Sequence, residues 1–180
     1  MNSFKLPNRI VTDKKLSYSA RHIAAILYMI QEQEGTCVRG LYQLCEISSY
    51  SIVTVVKSIS QLRQQGYLSV QHGKKGNRNC VNSYHMQTNE WPCTDISPKV
   101  FAEGARNMRV VIYLYLLIQA NGAASVTIST EEIKRGLQLQ GDASIRVGLN
   151  QLEAEGYIER IQRFRQPEVW AKTEYVLKIR

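Results

Sequence analysis

One phrase occurs twice in this chain. Residues 61–68 read Gln-Leu-Arg-Gln-Gln-Gly-Tyr-Leu and residues 151–158 read Gln-Leu-Glu-Ala-Glu-Gly-Tyr-Ile, 90 positions on. A leucine near a helix end, a glycine free to take φ > 0 just past it, and then an aromatic and an aliphatic residue describe a helix turning straight into a strand. A chain that writes this junction twice is constrained to two copies of one plan, each running from helix to hairpin. The copies divide 180 residues into units near the lower end of domain size. With 44% hydrophobic and 21% charged residues, each can bury a core of its own.

Periodicity and punctuation give the order of elements. Leu16-Ser17-Tyr18-Ser19-Ala20 supplies hydroxyl caps ahead of Ile23, Ile26, Leu27 and Ile30, which predicts a helix ending near Gly35. Cys37-Val38 reads as a short strand, and Leu41, Leu44 and Ile47 fit a brief second helix. Ser48-Ser49-Tyr50-Ser51 forms the turn into a third helix, whose expected inner face is Ile52, Val55, Ile59 and Leu62. After Gly66 come a strand from Tyr67, a glycine- and asparagine-bearing tip at 73–79, and a return strand near Val81 to Met86.

The second copy repeats the order. Ser97-Pro98 reads as a helix cap followed by proline at the first helical position. Ala105-Arg106 and Tyr113 fall 85 residues after Ala20-Arg21 and Tyr28, so the first helices correspond. Val126-Thr127-Ile128 is the strand, and Ser129-Thr130-Glu131-Glu132 is a capping box. Asp142 or Ser144 is the expected cap of the next helix, with Ile145, Leu149 and Leu152 in the places of Val55, Ile59 and Leu62. The closing hairpin is expected to turn at Gln166-Pro167-Glu168. These readings give an α+β fold with a first domain at 1–88, a connector at 89–97 and a second domain at 98–180.

Several function classes drop out. The longest apolar run, Val110 to Ile118, contains two tyrosines and falls far short of the roughly 20 residues that span a bilayer. The first residues lack an apolar signal core, so a cytoplasmic protein without membrane contact is expected. Cys37, Cys45, Cys80 and Cys93 show no C-x-x-C spacing and are expected to be structural thiols. His72, Cys80 and His85 lack the paired-ligand spacing of zinc modules, so neither metal nor cofactor is expected. The absence of a glycine-rich phosphate loop, of H-E-x-x-H and of G-x-S-x-G argues for a protein that is not an enzyme. Tyr28 and Tyr113 lie in apolar helical stretches and belong to the core, whereas Tyr50 is the aromatic with a chance of stacking on a base. Trp91 and Trp170 are expected to anchor a connector and a hairpin.

Charge is distributed unevenly. The net charge is +8, and residues 1–90 carry 11 basic against 5 acidic side chains, whereas 91–180 carry 12 against 10. No carboxylate stands between Glu46 and Glu90, an interval that holds Lys57, Arg63, Lys74, Lys75 and Arg78. A cationic stretch of this kind fits a polyanionic partner.

Helix, short strand, helix, turn, helix, hairpin is the order of the winged helix, and both halves resemble that family. Thr54-Val55-Val56-Lys57 with Ile59, Leu62 and Gly66-Tyr67-Leu68 looks like its recognition helix and first wing strand, and Ser144-Ile145-Arg146-Val147 with Leu149, Leu152 and Gly156-Tyr157-Ile158 matches the same pattern. Leu6-Pro7-Asn8-Arg9, Leu16-Ser17 and Ala20-Arg21 are similar to the N-terminal winged-helix domains of replication initiators and replication-organiser proteins of phages and mobile elements of Gram-positive bacteria. The resemblance implies two tandem winged helices and sequence-specific binding of double-stranded DNA, in replication initiation or transcription regulation, through a recognition helix at about 51–65 and a basic wing at 73–79.

The residue chemistry agrees with that expectation. A helix in the major groove needs small or polar side chains on its outer face and first turn, which Ser49, Tyr50, Ser51, Thr54, Lys57 and Ser58 provide. Lys74, Lys75 and Arg78 are placed to neutralise phosphates without reading sequence. Val53 and Val56 are apolar positions near the reading face and leave open a protein-interaction scaffold as the alternative. In the second copy Arg146, Arg160, Arg163 and Arg165 are candidate phosphate contacts, but Glu153, Glu155 and Glu159 balance them. That copy serves either DNA, a homodimer or a protein partner.

Overall fold

The computed structural model describes residues 3–75, 78–87, 91–101, 107–139, 141–162 and 172–178. The chain is mixed α+β and divides into two compact units, Met1–Asn107 and Met108–Arg180.

In the first unit, Ser17 caps α2 (Tyr18–Glu34) by accepting from the Ala20 amide at 3.2 Å, and Gly35 ends the helix at φ 73. Ala20, Ile23, Leu27, Tyr28 and Ile30 are buried along it. Strand β2 (Cys37–Arg39), α3 (Leu41–Ser48) and α4 (Ile52–Gln64) follow, with α4 packed across α2 through Val55, Ile59 and Leu62. Ile52, expected on the inner face, is instead 38% exposed at the first position of α4. The hairpin β3 (Leu68–Lys75) and β4 (Arg78–Met86) then closes an antiparallel sheet in the order β2-β4-β3. Strand pairing extends to Lys75↔Arg78, so the expected tip at 73–79 is mostly strand, with a register shift between His72 and Lys74 beside Gly73.

The connector expected at 89–97 is built into this first unit. Residues Cys93–Ile96 form β5, antiparallel to β1 (Phe4–Pro7), and α1 (Asn8–Thr12) follows β1 directly. Trp91 meets the Tyr67 ring edge-on at 5.6 Å, and the Arg9 guanidinium lies 5.5 Å from the Trp91 centroid. Pro98–Phe101 forms a 3-10 turn, and Phe101 stacks on buried His22 at 5.9 Å. An alternation as short as Cys-Thr-Asp-Ile carries little periodic signal, which is why β5 reads as connector.

The second unit runs α5 (Asn107–Ala120), β6 (Ser125–Ile128), α6 (Thr130–Leu137), α7 (Asp142–Ala154), β7 (Ile158–Gln162) and β8 (Thr173–Leu177), with sheet order β6-β8-β7. It repeats the topology of β2 through β4. Val110 to Leu117 are all buried, as expected of the apolar run. Ser129 and Glu132 form the expected capping box: Ser129 Oγ accepts from the Glu132 amide at 3.1 Å, and Glu132 Oε2 accepts from the Ser129 amide at 2.8 Å. Neither Asp142 nor Ser144 caps α7. The cap position is Gly141, and Asp142 is already helical.

The repeated phrase is the same hydrogen-bonded junction in both units. Gly66 and Gly156 have φ 74 and φ 73. The Tyr67 amide donates to Leu62 O at 3.0 Å and the Gly66 amide to Arg63 O at 3.0 Å. Their counterparts are Tyr157 to Leu152 O at 2.8 Å and Gly156 to Glu153 O at 2.9 Å, two Schellman motifs that satisfy the last helical carbonyls and aim the chain into its strand. Tyr84 and Tyr175 are buried at matching places, facing Val70 and Arg160 across the hairpins.

Candidate nucleic-acid interface

In the first unit the exposed side of α4 carries Val53, Val56, Lys57 and Ser60, at spacings that place them on one stripe. Ser51 caps the helix by accepting from the Thr54 amide at 3.3 Å, and its Oγ lies 3.0 Å from Thr54 Oγ1. Ser49 is exposed in the left-handed conformation, φ 56, where it ends α3. Ser51, Thr54, Lys57 and Ser49 are therefore gathered at the start and outer side of α4.

Two expected site residues are placed elsewhere. Ser58 is 1% exposed, and its hydroxyl donates to Ser19 Oγ at 3.2 Å in the seam between α4 and α2. Helical spacing puts it beside Val55 and Leu62 on the packed side. Tyr50 turns inward, its ring 5.6 Å from His22 in an edge contact, and its buried hydroxyl finds no partner among the described residues. Burial drives its ionisation far upward. It is a wedge between the α3–α4 turn and α2, not an exposed stacking platform.

The backbone of Lys74, Lys75 and Arg78 lies in the paired strands of the hairpin; their side chains fall outside the described residues. Between the middle of this hairpin and the start of α3 lies an open hollow of about 440 Å³ lined by Leu41, Tyr42, His72, Gly73, Val81 and Asn82. His72 Nδ1 and Asn82 Oδ1 sit 3.0 Å apart across the strands. Gly40 precedes α3, and its amide donates to Gln43 Oε1 at 2.8 Å.

A third cationic element was not singled out from sequence. The turn holding Lys14 and Lys15 is fastened to α4 by Gln61, whose Nε2 donates to Lys15 O at 2.8 Å while its Oε1 accepts from the Ser17 amide at 3.0 Å. Both lysines are exposed. The signal was the Asp13-Lys14-Lys15 run just ahead of the helix cap. Among the described residues no carboxylate pairs with Lys14, Lys15, Lys57 or Arg63, and the first unit's ion pair is Arg39 with Glu34. Arg21 is buried; its guanidinium donates to Asp13 O at 2.9 Å, and desolvation lowers its pKa.

In the second unit Arg146 is exposed on α7. Arg160 is held by Glu153, with Nε donating to Oε2 at 2.8 Å, and this contact keeps the Glu153 carboxyl below its usual range. Arg163 and Arg165 lie outside the described residues, as do Trp170 and the tip at 166–168. Arg109 pairs with Glu155, Lys134 with Asp142 at 2.9 Å, Lys172 with Glu132 at 3.2 Å, and Lys178 with Glu159 at 2.8 Å.

Of the described cysteines only Cys37 is buried as expected of a structural thiol; Cys45 is half-buried and Cys93 exposed. Cys37 is buried and its thiol is pushed up to about 11 by desolvation, and exposed Cys93 donates to Trp91 O at 3.2 Å. Among the described residues no group of three His, Cys, Asp or Glu side chains is placed to hold a metal ion. None of the described helices is long and apolar enough to cross a membrane. Neither a family model nor a curated protein matches the chain.

Proposed function

We propose that this chain is a sequence-specific double-stranded DNA-binding protein made of two tandem winged helices, in which the first unit is the DNA reader. The observation that carries the reading is the charge on the first unit's exposed elements. Lys57 and Arg63 on α4 and the lysines of the 13–17 turn have no carboxylate partner among the described residues, and the interval from 47 to 89 contains no acidic residue at all. Cations without internal partners are free to displace counterions from phosphates. The reaction implied is binding rather than catalysis, in replication initiation or transcription regulation of a phage or mobile element, in the cytoplasm.

In this reading α4 enters the major groove with its N-terminal turn toward the bases, and the β3–β4 hairpin follows the backbone. The test is fluorescence anisotropy of the full chain on a mixed-sequence duplex across a salt series. Replacing Lys74, Lys75 and Arg78 together by Ala is expected to lower the log-log salt slope by about 2.7 and the affinity on the order of a hundredfold at low salt. An unchanged slope and affinity would remove the wing from the interface, and no binding of the unaltered chain to any duplex would instead make it a protein-interaction scaffold.

A further inference from the structure

Charge does not account for the middle of the proposed reading face. Val53 is 59% exposed and Val56 is 46% exposed, one turn apart on α4, flanked by Lys57 and Ser60. Methyl-bearing side chains at the centre of a cationic, carboxylate-free helix face match one feature of the major groove, the C5-methyl group of thymine. The alternative occupant, a second copy of this chain, would bring together two halves that each carry 11 basic against 5 acidic side chains; like charges facing one another oppose such docking. We propose that Val53 and Val56 select thymine by packing on its methyl group, while Lys57 reaches base acceptors or phosphate beside them. The inference rests on the DNA-binding reading above. The second unit differs at these positions, although its α7 also exposes a valine, Val147, at the place of Lys57. Ninety residues on, Ala143 and Arg146 occupy the positions of Val53 and Val56.

Both valines project from the exposed side, so truncating them leaves the α2–α4 seam intact, and alanine is the better helix former. The full chain is used to enrich duplexes from a random-sequence library. One enriched duplex is then synthesised with thymine or with deoxyuridine, which removes only the methyl. The uracil duplex is expected to bind roughly fourfold more weakly for each contacted methyl, the loss that corresponds to one buried methylene-sized group. In the Val53→Ala, Val56→Ala double variant the thymine-to-uracil ratio is expected to fall to about one. A ratio of one in the unaltered chain, on a duplex it binds with a steep salt slope, overturns methyl reading while leaving DNA binding standing. Failure to enrich or bind any duplex overturns both. If sedimentation shows a dimer that the double variant dissociates, the valines are a protein interface and the proposal falls.

Discussion

The two units share a junction, a strand order and a set of core positions, yet they differ in how many of their described cations are paired. Arg135 and Arg146 of the second unit are exposed and in no ion pair among the described residues. In the second unit Lys134, Arg160, Lys172 and Lys178 each meet a carboxylate from a neighbouring element, and Arg109 pairs with Glu155. In the first unit the exposed cations of α4 and of the 13–17 turn meet none among the described residues. One backbone plan thus supports two surfaces. The core fixes which positions face inward, and the outward positions are free to be spent on intramolecular pairing or left open for a polyanion. Arg160 makes the point: it stands 90 residues after Val70 on the corresponding strand, but Glu153 holds it.

If the units are separate cores, each should fail by itself. Leu62 and Leu152 occupy the same position in the two junctions and are both fully buried. Leu62→Ala is expected to destabilise the first unit, and Leu152→Ala the second, by about 2–5 kcal/mol each. Amide hydrogen exchange, followed residue by residue, should show protection lost in one unit and kept in the other. Loss of protection in both from either variant would mean that the repeat is one cooperative core.

A smaller test sharpens the comparison at a site where the copies diverge. The αL residues Ser49 and Gln138 end α3 and α6 with φ 56 and φ 55, which aligns Ile47 with Gly136. A Cβ at Gly136 would lie 2.1 Å from Tyr115 Oη and 2.4 Å from Cζ, so the ring of Tyr115 occupies the space a side chain would need. In the first unit the partner of Tyr115, 85 residues earlier, is Ile30. Gly136→Ala is expected to cost about 1–3 kcal/mol through overpacking, reduced by the gain of alanine over glycine in a helix. Tyr115→Ile should relieve the clash, and thermal unfolding of the two single variants and the double variant would reveal the coupling. Additive losses would show that Tyr115 does not set the glycine.

Most of the fold was legible in the sequence because the repeated junction depends on local chemistry. Gly66 and Gly156 need positive φ, Ser17 and Ser129 need only their own helix amides, and the buried leucines recur at helical spacing. What escaped depends on contacts distant in sequence. Strand β5 exists because β1 pairs with it across nearly the whole unit, and no periodicity in four residues announces that. Tyr50 carried the right chemistry for stacking, but its inward turn is decided by His22 on α2. Ser58 could have been removed from the reading face by spacing alone, since it follows Val55 by three and precedes Leu62 by four. The link between Lys15 and α4 runs through Gln61, a polar residue whose role appears only when the turn is laid beside the helix.

The smallest expected effect concerns acid. Glu132 is held below the usual carboxylate range first by the Ser129 amide, Asp142 by hydrogen bonding to Lys134, and Glu153 by Arg160. A carboxylate whose folded pKa is depressed adds stability at neutral pH. That contribution is lost as pH falls through the ordinary carboxylate range near 4 toward the lower folded values. All three groups lie in the second unit, so acidification should loosen α6, α7 and the start of β7 by more than these carboxylates disturb the first unit. Each pair is solvent-facing, which keeps the effect modest. Amide exchange at neutral and at acid pH, compared between the two units, provides the measurement. Greater acid loss in the first unit than in the second would show that these pairs are screened to insignificance, and that the second unit's cations are as available to phosphate as those of the first.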